Sequence, residues 1–419
     1  MSSASSPSQP AGSGAEIHDL VYDWNLVNEV RPLPERIMFD DETLRDGLQG
    51  PSSIDPPIER KIELLHLMDR LGIDTADIGL PGAGPRAVAD VKRLCEEIAS
   101  AGLSIKANCA ARTLEADIRP CVDIVQATGV PIEVCTFIGS SPIRLYAEGW
   151  DVDRLLSTSQ AAVEFAVREG LDVMFVTEDT TRAHPDVVRA LYSNAIQWGA
   201  KRICVCDTVG HVTPAGVCAL MSFVKDIVDE SGADIGIDWH GHRDRMLSIP
   251  NSIAALESGA TRVHAAATGI GERAGNTPMD MLLVNLKLMG AIENDLHALK
   301  DYVSVAADAV GVPLPQKYPV FGEDAFTTGT GVHAAAVIKA LRKGDSWLAD
   351  RVYSGVPAGE FGLEQRIVVG YMSGKSNAVY WLEKRGHEAS EENISRIMDL
   401  AKDSDHILTD EELTAVIAH

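Results

Sequence analysis

The chain of 419 residues carries 61 acidic against 37 basic side chains, a formal net charge of −24, with 45% hydrophobic and 23% charged residues. A field of that sign repels nucleic acid and anionic membranes, yet a small anionic ligand can still bind where a cleft concentrates cations. The length suits one large domain and a smaller one. No run approaches 18 apolar residues, so no transmembrane helix is predicted, and seven cysteines scattered from Cys95 to Cys218 set no disulfide framework, which points to a reducing cytoplasm.

In chain order, MSSASSPSQPAGSGA (1–15) has the composition of a disordered tail and lacks the basic start and apolar core of a secretory signal. Residues 16–35 form an N-terminal extension. From residue 36 short β-rich runs alternate with helical patterns: RIMFD, TADIGLP from Thr75, SIKANCA from Ser104, IEVCTFI from Ile132, DVMFVTE from Asp172, RICVCDT from Arg202, DIGIDWH from Asp234 and RVHAAATG from Arg262. Between them lie segments such as IERKIELLHLMDRL from Ile58, with apolar residues three and four apart. Eight such repeats over residues 36–290 match the ~250 residues that a (β/α)₈ TIM barrel needs. The remainder, 291–419, does not continue the alternation. Helical stretches around His333–Leu341 and Glu391–Lys402 predict a smaller, mainly helical C-terminal region.

Barrel enzymes place their chemistry at the C-terminal ends of the strands. His240-Gly241-His242 sits at such an end, and residues i and i+2 of a strand face the same way, so both imidazoles point into the barrel mouth. With Asp46 from the end of strand one they make a partly filled coordination sphere for a divalent cation such as Zn²⁺, Mg²⁺, Mn²⁺ or Co²⁺. Arg45 places a guanidinium beside that carboxylate, suited to a developing oxyanion, and Gln49 in the same loop can orient a substrate carbonyl. The loop Gly269-Ile270-Gly271-Glu272-Arg273-Ala274-Gly275-Asn276 leaves strand eight, where glycines permit close approach of a phosphate- or pantetheine-bearing ligand. A second cluster, Gly79 to Gly84, has GxxGxG rather than dinucleotide spacing and reads as a turn before a helix opened by Pro85. Cys204 and Cys206 read as buried core thiols.

Asp41-Glu42-Thr43-Leu44-Arg45-Asp46-Gly47, the HGH pair and GIGERAGN together resemble the DRE-TIM metallolyase superfamily. Thr136 to Ile143, Gly322 to Phe326 and Gly331-Val332-His333 resemble its 2-isopropylmalate synthase and homocitrate synthase branch. The resemblance covers roughly residues 36–345. It implies a metal-dependent condensation of the co-substrate acetyl-CoA with a 2-oxo acid of the 2-oxoisovalerate kind, followed by thioester hydrolysis. It further implies that Asp46, His240 and His242 bind the metal with Asn276 at or near it. Arg45 would stabilise the oxyanion, Glu178 would line the side-chain pocket, Thr208 would bind the carboxylate, and Gly269, Gly271, Glu272 and Asn276 would contact acetyl-CoA. His333 would take part in removing the acetyl proton, reaching into the neighbouring barrel of a homodimer with exchanged C-terminal regions.

Three departures modify that expectation. Arg243-Asp244 follows the histidine pair where the family has Asn-Asp or Asp-Asp, which offers Arg243 as a binder of an extra substrate anion, although strand alternation turns it away from the histidines. Cys135 stands where many isopropylmalate synthases carry His, which points to an altered pocket. The chain also ends at His419, so leucine feedback through a further C-terminal domain is not expected. The rival readings are another acceptor (homocitrate, citramalate, benzylmalate or phosphonomethylmalate synthesis), a hydroxymethylglutaryl-CoA lyase-like C–C cleavage, and a non-catalytic metabolite-binding regulator.

Overall fold

Eight parallel strands close on themselves in the computed structural model, which describes residues 20–26 and 32–418. The strands are β1 (Met38–Asp41), β2 (Thr75–Asp77), β3 (Lys106–Arg112), β4 (Ile132–Gly139), β5 (Asp172–Glu178), β6 (Arg202–Asp207), β7 (Gly236–Gly241) and β8 (Arg262–Ala265). They pair in sequence order, and β8 returns to β1 from Met38↔Arg262 to Asp41↔Ala265. The expected (β/α)₈ architecture is therefore the observed one. The predicted tail, 1–15, lies outside the described residues. Pro34–His419 forms one unit, and Met1–Leu33 a separate one whose described part holds a single 3₁₀ turn, Trp24–Leu26.

The outer layer is α1 (Ile58–Arg70), α2 (Pro85–Ala101), α3 (Glu115–Thr128), α4 (Pro142–Glu148), α5 (Val152–Arg168), α6 (Pro185–Gln197), α7 (Pro214–Ser231), α8 (Ser248–Leu256) and α9 (Met279–Leu288). In α1 the buried residues Leu64, Leu65, Leu67 and Met68 recur at the spacing that puts them on one helix face. Pro85 opens α2 at its first position, as the Gly79–Gly84 turn predicts. Helices outside and side chains inside bury both faces of the strands, which explains their near-continuous apolar runs.

The barrel interior is not uniformly apolar. Towards the strand starts, Arg262 is 2% exposed and bonds Asp238 and Glu133, each at 2.6 Å, while Arg202 also pairs with Asp238. Charges so far from water persist only when fully paired, and loss of one partner costs ~3–5 kcal/mol. Above this ionic layer lie Cys135, Met174, Cys204 and Cys206.

Beyond residue 290, α10 (Leu299–Val310) still belongs to the barrel body. It packs on α1, and Tyr302 Oη donates to Asp41 Oδ2 at 2.5 Å. The rest comprises α11 (Gly331–Arg342), α12 (Ser346–Arg351), α13 (Lys375–Lys384), α14 (Glu391–Asp403) and α15 (Asp410–Ile417), with the two-residue strands β9 (Thr327–Thr328) and β10 (Arg366–Ile367) pairing in parallel. Trp381, Leu382, Ile397 and Leu413 form its own core. No described helix is long and apolar enough to cross a membrane.

Candidate metal centre and active site

Asp46 opens the 3₁₀ turn Asp46–Gln49, which follows β1, and His240 and His242 come from the end of β7. All three are buried. Asp46 Oδ2 lies 3.4 Å from His240 Nε2 and 3.7 Å from His242 Nε2, and the two imidazole nitrogens are 3.3 Å apart. A cation ~2.1 Å from each of three tetrahedrally disposed ligands spaces them by ~3.4 Å, so the residues fit a divalent ion. Three buried atoms of Asp46, His242 and Asn276 lack any protein hydrogen-bond partner: Asp46 Oδ1, His242 Nδ1 and Asn276 Oδ1. Asn276 is tied to His242 by a backbone bridge, and its Nδ2 donates to the carbonyl of Ile270.

A second trio, Glu42, His240 and His264, also brings its donors within 4.8 Å. There, however, His264 is spent on two carboxylates, Glu42 Oε1 at 3.0 Å and Asp238 Oδ2 at 2.9 Å. Glu42 in turn faces His240 Nδ1 at 3.4 Å, which directs the other ring nitrogen of His240 towards Asp46. The Asp46, His240 and His242 trio is thus the one with donors to spare.

Without a cation, the charges of these groups act on one another. Burial works against charge on His240, but hydrogen bonds to Asp46 and Glu42 outweigh it and push the imidazole up to about 10. Burial and the charge on His240 push His242 down to about 4. Burial also opposes the Asp46 carboxylate, yet Arg45 and His240 hold it well below the usual range. Arg45 reaches Asp77 Oδ2 at 2.8 Å, Asp46 Oδ2 at 3.2 Å and Glu42 Oε2 at 2.5 Å, one guanidinium holding three carboxylates.

The cavity at this mouth is lined by Arg45, Asp46, Gln49, Glu178, Thr208, His240, His242 and Glu272, so eight of the sequence-predicted residues meet there. Thr208 Oγ1 accepts the Asp179 amide, and burial raises the Glu178 carboxyl above its ordinary value. Arg243 is placed otherwise. Its Nε donates to Ala274 O and its Nη1 to Thr268 O, so it staples the glycine loop from behind and does not line the cavity. The cation in that position is Arg273, which pairs with Asp244 and donates to the Thr208 carbonyl. Gly269 and Gly271 do not line the cavity either; they shape the loop. Gly269 has φ +68°, and a Cβ there would stand 2.6 Å from Arg243 Nη1. His333, at the start of α11, lines a separate cleft with Tyr353, whose ring centre is 4.2 Å away, and it is not brought to the barrel cavity of its own chain.

Asp280 holds the same loop from α9: it accepts the Thr268 amide at 2.7 Å and the Tyr318 hydroxyl at 2.8 Å. Burial pushes its carboxyl from 3.8 up to about 6. The folded chain therefore binds that proton more tightly than the unfolded chain. The resulting stability is present in full below about pH 4 and is lost as pH rises through about 6, on the order of 2–3 kcal/mol. Asp280→Asn should flatten that slope in urea unfolding followed from about pH 4 to about pH 7; parallel slopes for the two proteins would assign it to another group.

Comparison with known proteins gives the family. The HMGL-like profile matches residues 36–307, more than half the sequence. The chain belongs to the HMGL-like family. Among its relatives are a probable 2-isopropylmalate synthase of Methanopyrus kandleri, 32% identical over 88% of this chain and 70% of the relative, and a homocitrate synthase of the same organism, 31% identical over 88% of each. The HMG-CoA lyase of Brucella melitensis shares the fold of this family member, with a TM-score of 0.55 at 17% identity over 66% of this chain and 99% of the other.

Glu42, Asp77, His264 and Arg273 escaped the sequence reading as site residues. Glu42 and Arg273 carried local signals, within the DETLRDG and GIGERAGN runs. Asp77 and His264 act through partners distant in sequence.

Proposed function

We propose that this HMGL-like protein condenses acetyl-CoA with a 2-oxo acid of the 2-oxoisovalerate kind, giving a 2-alkylmalate and free CoA. The observation that carries the reading is the Asp46, His240 and His242 trio, in which Asp46 Oδ1 is buried without a partner, at the mouth of a cavity whose walls include Arg45 and Thr208. The names of its relatives support it: both are synthases from this branch of carboxylic-acid chemistry.

A divalent cation bound by Asp46, His240 and His242 would supply Lewis-acid polarisation of the oxo group. The chain does the rest. Thr208 and Gln49 orient the oxo acid. A base takes a proton from the acetyl methyl, the resulting carbon attacks the oxo carbon, and the oxygen left behind gains negative charge before it is protonated. Arg45 faces that oxygen: a guanidinium has five N–H donors, and its three carboxylate partners leave some free. Water then cleaves the thioester and releases the CoA thiol. The base is assigned to His333 of a second copy in a homodimer. In favour of this, His333 stands at a surface cleft beside the exposed Val332 and does not line its own barrel cavity.

Thiol release measures the reaction directly. With a divalent cation present, free CoA should appear only when acetyl-CoA and a suitable 2-oxo acid are both added. If no acid in a panel of branched, linear, aromatic and dicarboxylic 2-oxo acids yields thiol, the condensation reading is wrong.

A further inference from the structure

The layer contributed by β4, β5 and β6 takes no part in the steps above. Cys135, Met174, Cys204 and Cys206 pack on one another with Val176 against them. All five line the cavity that holds Asp46, His240 and His242. Cys204 Sγ and Cys206 Sγ are 3.8 Å apart, as two residues on the same face of one strand should be. Burial pushes the thiols of Cys135 and Cys204 well above their ordinary range, so both are neutral. Beneath them Met174 Sδ lies 3.3 Å from Arg262 Nη2, so the thioether separates the cavity from the ionic layer below. Arg262 is itself committed to Asp238 and Glu133.

The charged walls point the same way. Glu42, Asp46, Asp77, Glu178 and Glu272 line the cavity with two guanidinium groups, Arg45 and Arg273, and the imidazoles of His240, His242 and His264. Arg45 already serves three carboxylates, and Arg273 serves Asp244 and the Thr208 carbonyl. A cation held by Asp46, His240 and His242 would balance the first carboxylate of an oxo acid. A second carboxylate at the far end would meet sulfur and methyl groups, with the Glu178 carboxyl nearby. Burying an ion so costs far more than its contacts return.

We infer that this sulfur layer receives the acceptor's side chain and restricts the acceptor to 2-oxo acids with an uncharged, apolar side chain, Met174 setting the depth. The assignment rests on the condensation reading, but its test reads binding rather than turnover. Calorimetry on the full chain with Mg²⁺ and no acetyl-CoA should show 2-oxoisovalerate and 4-methyl-2-oxopentanoate binding about 10²-fold more tightly than oxaloacetate and 2-oxoglutarate. In Met174→Ala the affinity for 4-methyl-2-oxopentanoate relative to 2-oxoisovalerate should rise about tenfold, with Mg²⁺ affinity that of the native protein. Cys135→Ser keeps nearly the same volume and serves if the first variant fails to fold; it should weaken both branched acids about tenfold by replacing an apolar sulfur surface with a polar hydroxyl. Dicarboxylates binding as tightly as branched acids would overturn the inference, and so would native affinities for both branched acids in whichever variant folds. Thiol release with a dicarboxylate preference sinks the pocket assignment alone. Selective apolar binding without thiol release sinks the condensation reading alone.

Discussion

His242→Ala is expected to reduce metal-dependent kcat/KM about 10³-fold, equivalent to ~4 kcal/mol of transition-state stabilisation. Divalent-ion affinity measured by calorimetry should collapse with it. The fold should persist, because the strand-end contact of residue 242 runs through its backbone amide to the Asp207 carbonyl, which alanine retains. Removing the ring also relieves the 3.3 Å approach of two imidazole nitrogens, a contact that is favourable only with a cation or a proton between them. Burial, and then the neighbouring charge of His240, push the His242 imidazole down to about 4. A variant with native metal affinity and native turnover would refute the ligand set.

Arg45→Ala should lower both turnover and stability, the first about 10²- to 10³-fold as an oxyanion donor is lost. The second should fall by ~3–5 kcal/mol, since Glu42, Asp46 and Asp77 are all buried and would be left without their shared cation. Arg45→Lys separates the two roles. An ammonium restores charge but cannot reach three carboxylates with a planar fork, so it should recover more stability than activity. Urea unfolding and thiol release on the same preparations measure both. If Arg45→Ala loses stability while its folded fraction turns over normally, Arg45 is structural only.

Local pattern carried much of this site. The period of two in a strand makes His240 and His242 neighbours on one face, and the repeat length makes strand ends one and seven parts of the same barrel mouth. The same alternation turned Arg243 away from the histidines. What it could not show is where Arg243 ends: its partners Ala274 and Thr268 are set by the return of a loop roughly thirty residues later. Arg273 lay in plain view within the GIGERAGN run, but its position at φ +53° and its pairing with Asp244 depend on that same return. Glu42 and His264 meet across 222 residues, and only closure of β8 on β1 brings them together. Cys204 and Cys206 are buried as the sequence suggests, yet they also line the cavity, because burial from solvent and access to a pocket differ for residues facing the barrel interior.

The sequence by itself determined the barrel and its eight strands, because strand periodicity and helix spacing are local properties, and it singled out Asp46, His240 and His242 as a candidate centre by side-chain type and spacing. Tertiary structure alone decided which carboxylates share Arg45, which arginine faces the cavity and what lies beneath Asp46, His240 and His242. Those are contacts between strand ends tens to hundreds of residues apart, and their geometry exists only once the barrel has closed. For Asp46, His240 and His242 the two levels meet, since the side chains singled out by type and spacing are also those whose ligand atoms the closed barrel brings within 4.8 Å of one another.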